Sequence, residues 1–126
     1  MTILAVDPGP KTSGLVIWDA AAQRVLMAAD DMPNEGLRRS LPELAEASRC
    51  FAIERVQCHG HPVGDPVFET VFFSGRLAER WEGTTGQPAI RLTFGDVALH
   101  HCHDRRAKES YVRQVLVDRL GGKGTR

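Results

Sequence analysis

The sequence predicts an α/β fold with a mixed five-stranded sheet and helices on its faces. Three short apolar runs rich in β-forming residues follow one another closely near the amino terminus, which is typical of an antiparallel meander. After them, helical patterns alternate with two further strand-like runs. That alternation is typical of crossovers that return each new strand to the same sheet.

The first three strands are predicted over residues 2–6, 14–18 and 24–28. The first run ends at Asp7-Pro8-Gly9-Pro10, which must form a turn, and residues 19–23 form the turn before the third. Residues 50–56 predict a fourth strand, apolar except where Glu54 interrupts it, and residues 88–93 predict a fifth. A loop rich in Gly, His and Pro over residues 57–66 separates the fourth strand from the next helix.

Three helices are predicted from apolar residues that recur near every 3.6 positions. The first opens at Pro33-Asn34-Glu35, and Pro42 is expected to divide it or delay its start. The second covers residues 67–81 and contains Gly75, which we interpret as a point of close approach to another element. The third covers residues 107–120 and stops at Gly121-Gly122. The predicted apolar face of the first helix consists of Leu37, Leu41, Leu44 and Ala45, and that of the third helix consists of Val112, Val115, Leu116 and Leu120. The predicted apolar face of the second helix consists of Val67, Phe68, Val71, Phe72 and Trp81. Its aromatic residues are expected in the core or in a dimer interface.

Composition narrows the class of protein. The 126 residues fit a single domain, and 42% hydrophobic with 25% charged residues is typical of a soluble globular protein. No apolar run approaches the roughly 18 residues needed to span a bilayer, and the start lacks the basic region of a signal peptide. We therefore expect a cytoplasmic protein without membrane contact. The three cysteines have no framework spacing and are expected to be reduced thiols.

The formal net charge of zero hides an uneven distribution. Residues 1–103 carry 9 Lys/Arg against 13 Asp/Glu, whereas residues 104–126 carry 7 against 3. Such asymmetry suits an acidic metal site beside a surface that contacts phosphates, although a solvated helix face explains the charge equally well. The candidate phosphate contacts are Lys11, Arg105, Arg106 and Lys108.

Two acidic residues stand where their neighbours predict burial. Asp7 ends the first strand and Glu54 lies within the fourth. Unpaired buried charges are costly, so such residues usually form an ion pair or coordinate a metal. Clustered carboxylates bind hard cations such as Mg²⁺ or Mn²⁺. Two such ions about 3.5–4 Å apart can activate water and stabilise the leaving oxygen in phosphodiester cleavage.

Four segments of the chain resemble the RuvC-like Holliday-junction resolvases of phages and prophages. Residues 7–14, Asp-Pro-Gly-Pro-Lys-Thr-Ser-Gly, look like the opening motif of these nucleases, and Ala52-Ile53-Glu54 looks like the second. Residues 60–81 and 107–122 are similar to two further segments of that subgroup. The resemblance runs from residue 2 to about residue 122 with the segments in the expected order.

This resemblance implies an RNase H-like fold, a homodimer and Mg²⁺-dependent (or Mn²⁺-dependent) cutting of branched DNA such as a four-way junction. It also implies catalytic, metal-binding carboxylates, here Asp7, Glu54 and Glu109, with Asp104 as the alternative third ligand. Glu109 stands where relatives usually carry Asp. Relatives continue past the Gly-Gly pair with a further acidic helix, so the single nuclease domain of residues 1–126 is expected to lack that helix.

Other patterns keep alternatives open. Cys58-His59-Gly60-His61 and His100-His101-Cys102-His103 contain enough N and S ligands for zinc, without the usual spacing. Residues 100–104 also resemble the His-His-x-His-Asp of the nuclease domain of RNA-guided CRISPR enzymes, which would make Asp104 a ligand and His101 a base. A catalytically impaired nucleic-acid-binding module and a protein-interaction scaffold of the same fold are the alternative functions.

Overall fold

The computed structural model describes residues 1–120, which form five strands and four helices. They belong to two compact units, Met1–Arg91 and Leu92–Arg126, and each is described by itself. The predicted helix stop at Gly121-Gly122 lies outside the described residues. The elements in chain order are β1 (Thr2–Asp7), β2 (Thr12–Asp19), β3 (Arg24–Pro33), α1 (Asn34–Glu46), β4 (Cys50–Glu54), α2 (Asp65–Thr85), β5 (Ile90–Leu92), α3 (Phe94–Cys102) and α4 (Glu109–Leu120).

The strands form one mixed sheet in the order β3-β2-β1-β4-β5. β1 pairs with β2 and β2 with β3 in antiparallel fashion, whereas β1 and β4 are parallel. A meander followed by crossovers produces this arrangement, because each crossover helix returns the chain to the same sheet in the same direction. The predicted α/β fold with a mixed five-stranded sheet is confirmed.

One face of the sheet builds the core of the first unit. Side chains alternate along a strand, so every second residue of β1, β2 and β4 points to the same side. There they pack against α1 and α2, and the rings of Phe51 and Trp81 lie 5.4 Å apart. The core residues are Leu4, Val6, Leu15, Ile17, Leu37, Leu41, Leu44, Ala45, Phe51, Ile53, Phe73, Leu77 and Trp81.

α1 runs through Pro42 without a break, so the predicted division of this helix is wrong. Proline inside a helix removes one hydrogen bond and costs about 3 kcal/mol. Leu37, Leu41 and Leu44 are buried on the same helix, and burying a leucine side chain contributes roughly 1.5–3 kcal/mol. Packing against the sheet therefore outweighs the local penalty.

α2 buries a different face from the predicted one. Its buried residues are Thr70, Phe73, Leu77 and Trp81, so only Trp81 of the predicted stripe belongs to the core. Phe68 and Phe72 are 61% and 62% exposed. Among residues 1–120, no heavy atom outside the neighbouring backbone of α2 lies within 4 Å of the position that a Cβ on Gly75 would take, so the predicted close approach to another element is also wrong.

The second unit differs most from expectation. α3 is an additional helix that starts with a capping box, in which Thr93 and Asp96 each accept the other's backbone N–H. α4 begins at Glu109, two residues later than predicted, and Val112 is the buried member of its predicted apolar face. Among residues 1–120, no helix is long and apolar enough to cross a membrane.

Candidate metal centre

Asp7 and Glu54 lie side by side at the ends of neighbouring strands. The parallel register pairs Val6 with Ile53, so the next residue of each strand falls in the same row at the same edge. The predicted proximity of the two acids is confirmed. The expectation that Glu54 interrupts a buried strand is wrong, because β4 ends at Glu54, whose carboxyl is only partly buried, and Asp7 is exposed.

The carboxyl group of Asp7 affects the ionisation of Glu54. Partial burial of the Glu54 carboxyl raises its pKa, and a hydrogen bond with Asp7 and the negative charge of Asp7 raise this pKa further. Neither acid takes part in the ion pairs found among residues 1–120. The alternative in which each acid is one half of a structural ion pair therefore finds no support in the described part of the chain. A cation between the carboxylates would remove this repulsion.

A tight turn follows Asp7 and brings the chain into β2. Pro8 is buried at the start of this turn, and a Cβ on Gly9 would clash with the carbonyl oxygen of Thr12. Glycine is therefore required because the backbone passes too close for any side chain. Lys11 is exposed on the same turn, which we call the Asp7 loop (residues 8–11).

Ser13 and Asn34 tie the Asp7 loop to the start of α1. The backbone N–H of Gly9 donates to Ser13 Oγ (3.2 Å), and the Ser13 hydroxyl donates to Asn34 Oδ1 (2.7 Å). Asn34 Nδ2 donates to the Gly9 carbonyl (3.0 Å), and Asn34 N donates to the Lys11 carbonyl (3.0 Å). The sequence carries a signal for Ser13 that the prediction missed: it alternates with Leu15 and Ile17 on the core-facing side of β2, and it is 3% exposed.

The other predicted site residues belong to the second unit. Glu109 lies in the first turn of α4, exposed and paired with Arg113 at 3.0 Å. Asp104 Oδ1 accepts the backbone N–H of Arg106 at 2.9 Å. Within residues 1–91 no third His, Cys, Asp or Glu joins Asp7 and Glu54, and residues 92–120 contain no group of three such side chains. The Cys/His segments considered for zinc therefore form no ligand group within either described unit.

The basic candidates of the second unit have different surroundings. Arg105 Nη1 donates to Asp96 Oδ1 at 2.9 Å, which holds this guanidinium beside the start of α3. The bonds from Thr93 and Arg105 lower the pKa of Asp96. Arg106 and Lys108 are exposed. An exposed lysine or arginine can contact phosphate without breaking an existing ion pair, whereas Arg105 would have to exchange its partner.

Two solved structures of RuvC from Thermus thermophilus have the same fold as this chain. One is 15% identical, with a TM-score of 0.68, and the alignment covers 98% of this chain and 82% of that chain. The other is RuvC in complex with a Holliday junction substrate; it is 16% identical, with a TM-score of 0.73, and the alignment covers 100% of this chain and 83% of that chain. No protein-family model matches the sequence, and no curated protein matches it significantly. The similarity establishes a RuvC-like fold of the RNase H-like class.

Proposed function

We propose that this protein is a metal-dependent endonuclease that cuts branched DNA, with Asp7 and Glu54 as catalytic metal ligands. The observation that carries the proposal is the pair of adjacent carboxylates at the ends of β1 and β4, which have no ion-pair partner among residues 1–120. Similarity in fold to RuvC, one structure of which contains a Holliday junction substrate, supports a four-way junction as the substrate.

The donor set fits Mg²⁺ or Mn²⁺. Both cations prefer carboxylate oxygens. The pKa of Glu54 is raised by partial burial, and then by the hydrogen bond and the negative charge of Asp7, and a cation would offset the repulsion between the two carboxylates. A bound divalent ion would lower the pKa of a water nucleophile and stabilise the leaving oxygen of the phosphodiester. The residues of this chain supply the charge and the fixed positions, because each acid ends a strand whose neighbours are anchored in the core.

A third carboxylate completes the proposed site. We assign it to Glu109, because the surrounding residues 107–114 resemble a resolvase segment, and keep Asp104 as the alternative. The Glu109–Arg113 pair is exposed, and exposed i,i+4 pairs contribute only about 0.3–0.5 kcal/mol. Exchange of Arg113 for a cation would therefore cost little.

Four basic side chains are proposed to bind the DNA backbone: Lys11, Arg105, Arg106 and Lys108. Lys11 belongs to the Asp7 loop and is exposed four residues after Asp7. Arg106 and Lys108 are exposed in the segment between α3 and α4. Their contacts would supply the salt-dependent part of the affinity, while the shape of the junction supplies selectivity.

The exposed side of α2 is proposed as the interface of a homodimer. Phe68, Val71 and Phe72 are 61%, 48% and 62% exposed, and such a contiguous apolar surface is typical of an interaction site. Val71, Phe72 and Gly75 line a groove of about 630 Å³ together with charged residues of α1 and α2. A second copy is proposed as the occupant because the groove carries both Glu79 and arginines, so two antiparallel copies would place the Glu79 of each beside the arginines of the other. Arg76 would have to exchange its present partner Glu35, which lies 3.1 Å away.

Junction cleavage tests the proposal. The wild-type chain should cut a synthetic four-way junction in Mg²⁺ or Mn²⁺ and should leave it intact in EDTA. Asp7→Asn and Glu54→Gln should abolish cutting while junction binding in Ca²⁺ persists. Binding without cutting by the wild type would indicate a nucleic-acid-binding module, and the absence of both would indicate a protein-interaction scaffold.

The third ligand is tested by two matched variants. Glu109→Gln should weaken Mn²⁺ binding and junction cutting much more than it lowers the melting temperature. Asp104→Asn serves as the comparison, because it removes one carboxylate charge from the segment just before the same helix. Loss of metal binding in Asp104→Asn alone would transfer the role to Asp104.

A further inference from the structure

The hydrogen bonds of Ser13 and Asn34 satisfy both backbone polar groups of Gly9. Its N–H is bound by Ser13 Oγ and its carbonyl by Asn34 Nδ2. The two side chains are joined directly through the Ser13 hydroxyl and Asn34 Oδ1, the shortest of these contacts at 2.7 Å. A loop backbone is normally satisfied by water or by its own turn. Here a strand and a helix start hold it through side chains.

We propose that Ser13 and Asn34 are positioning residues that fix the Asp7 loop, and through it the direction in which Asp7 presents its carboxylate. This inference rests on the proposed function, because it concerns the ligand geometry of the same metal site. Neither side chain is placed among the metal ligands; both act on Asp7 through Gly9.

The geometry limits the freedom of Asp7 from both sides. On its amino-terminal side, β1 is held by β2 and β4, with Val6 paired to Leu15 and to Ile53. On its carboxyl-terminal side, Pro8 has a φ angle fixed by its ring, and Gly9 is held at both of its polar groups. No flexible residue separates Asp7 from the anchored glycine. The pairing of β1 with β2, which extends to Asp7 opposite Gly14, and the network beyond it together set the backbone of Asp7, and a metal ligand needs such pre-set geometry.

Burial makes the network sensitive to single substitutions. Ser13 is 3% exposed, so water cannot readily replace its hydroxyl. Removing this hydroxyl would leave the Gly9 N–H and Asn34 Oδ1 without their partner. Gly9 and Asn34 are half-buried, so these two groups would carry part of the cost of about 1–3 kcal/mol for an unsatisfied buried group, and moving the loop so that water reaches them avoids that cost. Displacement of the Asp7 loop is therefore the expected response.

The test measures Mn²⁺ binding to the DNA-free protein by titration calorimetry and hydrogen exchange at the Gly9 amide. Ser13→Ala and Asn34→Ala should weaken Mn²⁺ binding roughly 10–100-fold, the range typical for residues that orient metal ligands. The Gly9 amide should exchange faster in both variants. Ser13→Ala removes its acceptor, and Asn34→Ala removes the group that holds this acceptor in place. Ser13→Thr keeps the hydroxyl and should retain most of the wild-type affinity.

Thr70→Ala is the matched control, because it removes another buried hydroxyl, which bonds the Pro66 carbonyl within α2. It should lower the melting temperature without changing Mn²⁺ affinity. Wild-type Mn²⁺ affinity in Ser13→Ala and Asn34→Ala would overturn the inference and leave the proposed function standing. An equal loss of affinity in Thr70→Ala would also overturn it, because general destabilisation would then explain the effect. A wild-type protein that binds no Mn²⁺ would overturn the proposed function, and this inference with it.

Discussion

At the scale of single residues, the proposed site depends on where two strands end. Asp7 and Glu54 meet because β1 and β4 are parallel and in register up to Val6 and Ile53. The sequence identified both acids, since each breaks an apolar run. The alternation of Ser13 with Leu15 and Ile17 signals its burial, but the sequence could not identify Asn34 as its partner, because their bond joins residues that are 21 positions apart. Such a contact arises from the fold and leaves no local pattern.

The first prediction concerns the repulsion between these acids. The pKa of Glu54 is raised in the folded protein from its ordinary value of 4.5. Folding therefore disfavours the ionised form of Glu54. Protonated Glu54 stabilises the folded protein below about pH 4.5, and this stabilisation is lost as the pH rises through the raised pKa. Asp7→Asn removes one charge of the pair. The metal-free variant should melt at the same temperature as wild type or higher at neutral pH.

Thermal melts in EDTA check this expectation, and their pH dependence supplies the control. Below about pH 4.5, where Glu54 becomes protonated in both states, the advantage of Asp7→Asn should disappear. Added Mg²⁺ should raise the melting temperature of the wild type and not that of the variant, because ligand binding stabilises only the protein that binds it. A variant that melts below the wild type at neutral pH would indicate that Asp7 has a structural ion-pair role instead.

At the scale of elements, α2 shows that helical spacing of apolar residues does not determine which face of the helix is buried. The sequence places apolar residues on two stripes, one with Phe68 and Phe72 and one with Phe73 and Leu77. Both have helical spacing, and the helix itself was predicted correctly. Only packing against the sheet and α1 selects the second stripe as the core.

α3 was missed because nine residues give a short apolar pattern, although Thr93 and Asp96 carried its capping signal.

The second prediction separates the two faces of α2. Phe73→Ala should lower the free energy of unfolding by roughly 3–5 kcal/mol, because it opens a cavity in the core. Phe72→Ser removes a neighbouring ring that is 62% exposed, so it should change monomer stability by no more than about 0.5 kcal/mol. Phe72→Ser should instead dissociate the proposed dimer. Denaturant melts and sedimentation at matched concentrations measure the two effects, and a Phe72→Ser protein that sediments as wild type would contradict the proposed interface.

The third prediction concerns α3 and α4 in the second unit. Arg119 Nη1 lies 3.1 Å from His101 Nδ1. Arginine has only donors, so Nδ1 must accept and His101 must be neutral with its proton on Nε2. Burial lowers the pKa of His101, and the charges of His100 and Arg119 lower it further. The stabilisation by the contact between Arg119 and His101 is therefore fully present above pH 6.5, the ordinary pKa of histidine. It is lost as the pH falls through the lowered pKa of His101.

Hydrogen-exchange protection of the α4 amides, corrected for the intrinsic pH dependence of exchange, measures this loss. Protection should fall as the pH drops below 6.5 in the wild type. His101→Gln keeps an uncharged acceptor oxygen for Arg119 and should make α4 protection independent of pH over the same interval. Equal pH dependence in both proteins would assign the effect to another titrating group.

At the scale of the whole chain, a net charge of zero is compatible with DNA binding because the charges are segregated along the sequence. Residues 104–126 carry 7 Lys/Arg against 3 Asp/Glu. The mixed five-stranded sheet followed from the sequence, since a meander and two crossovers allow few arrangements, whereas the order of its strands comes from the structure. The proposed phosphate-contacting surface cannot be identified from the sequence, because a basic residue that binds DNA and a basic residue that is only a solvated surface charge look the same in sequence. Salt dependence distinguishes these two roles.

The last prediction is that Arg106 and Lys108 set part of this salt dependence. Each phosphate contact releases counterions, so the logarithm of the binding constant falls with the logarithm of salt concentration by about 0.9 per contact on duplex DNA. Arg106→Ala/Lys108→Ala should therefore reduce the slope for junction binding in Ca²⁺ by about 1.8. Arg24→Ala/Arg39→Ala makes the same change in net charge at two exposed positions of β3 and α1 that are not proposed contacts. The control should leave the slope unchanged, because the slope reports local contacts. Equal slopes for both double variants would show that Arg106 and Lys108 are solvated surface charges and that the DNA lies elsewhere on the protein.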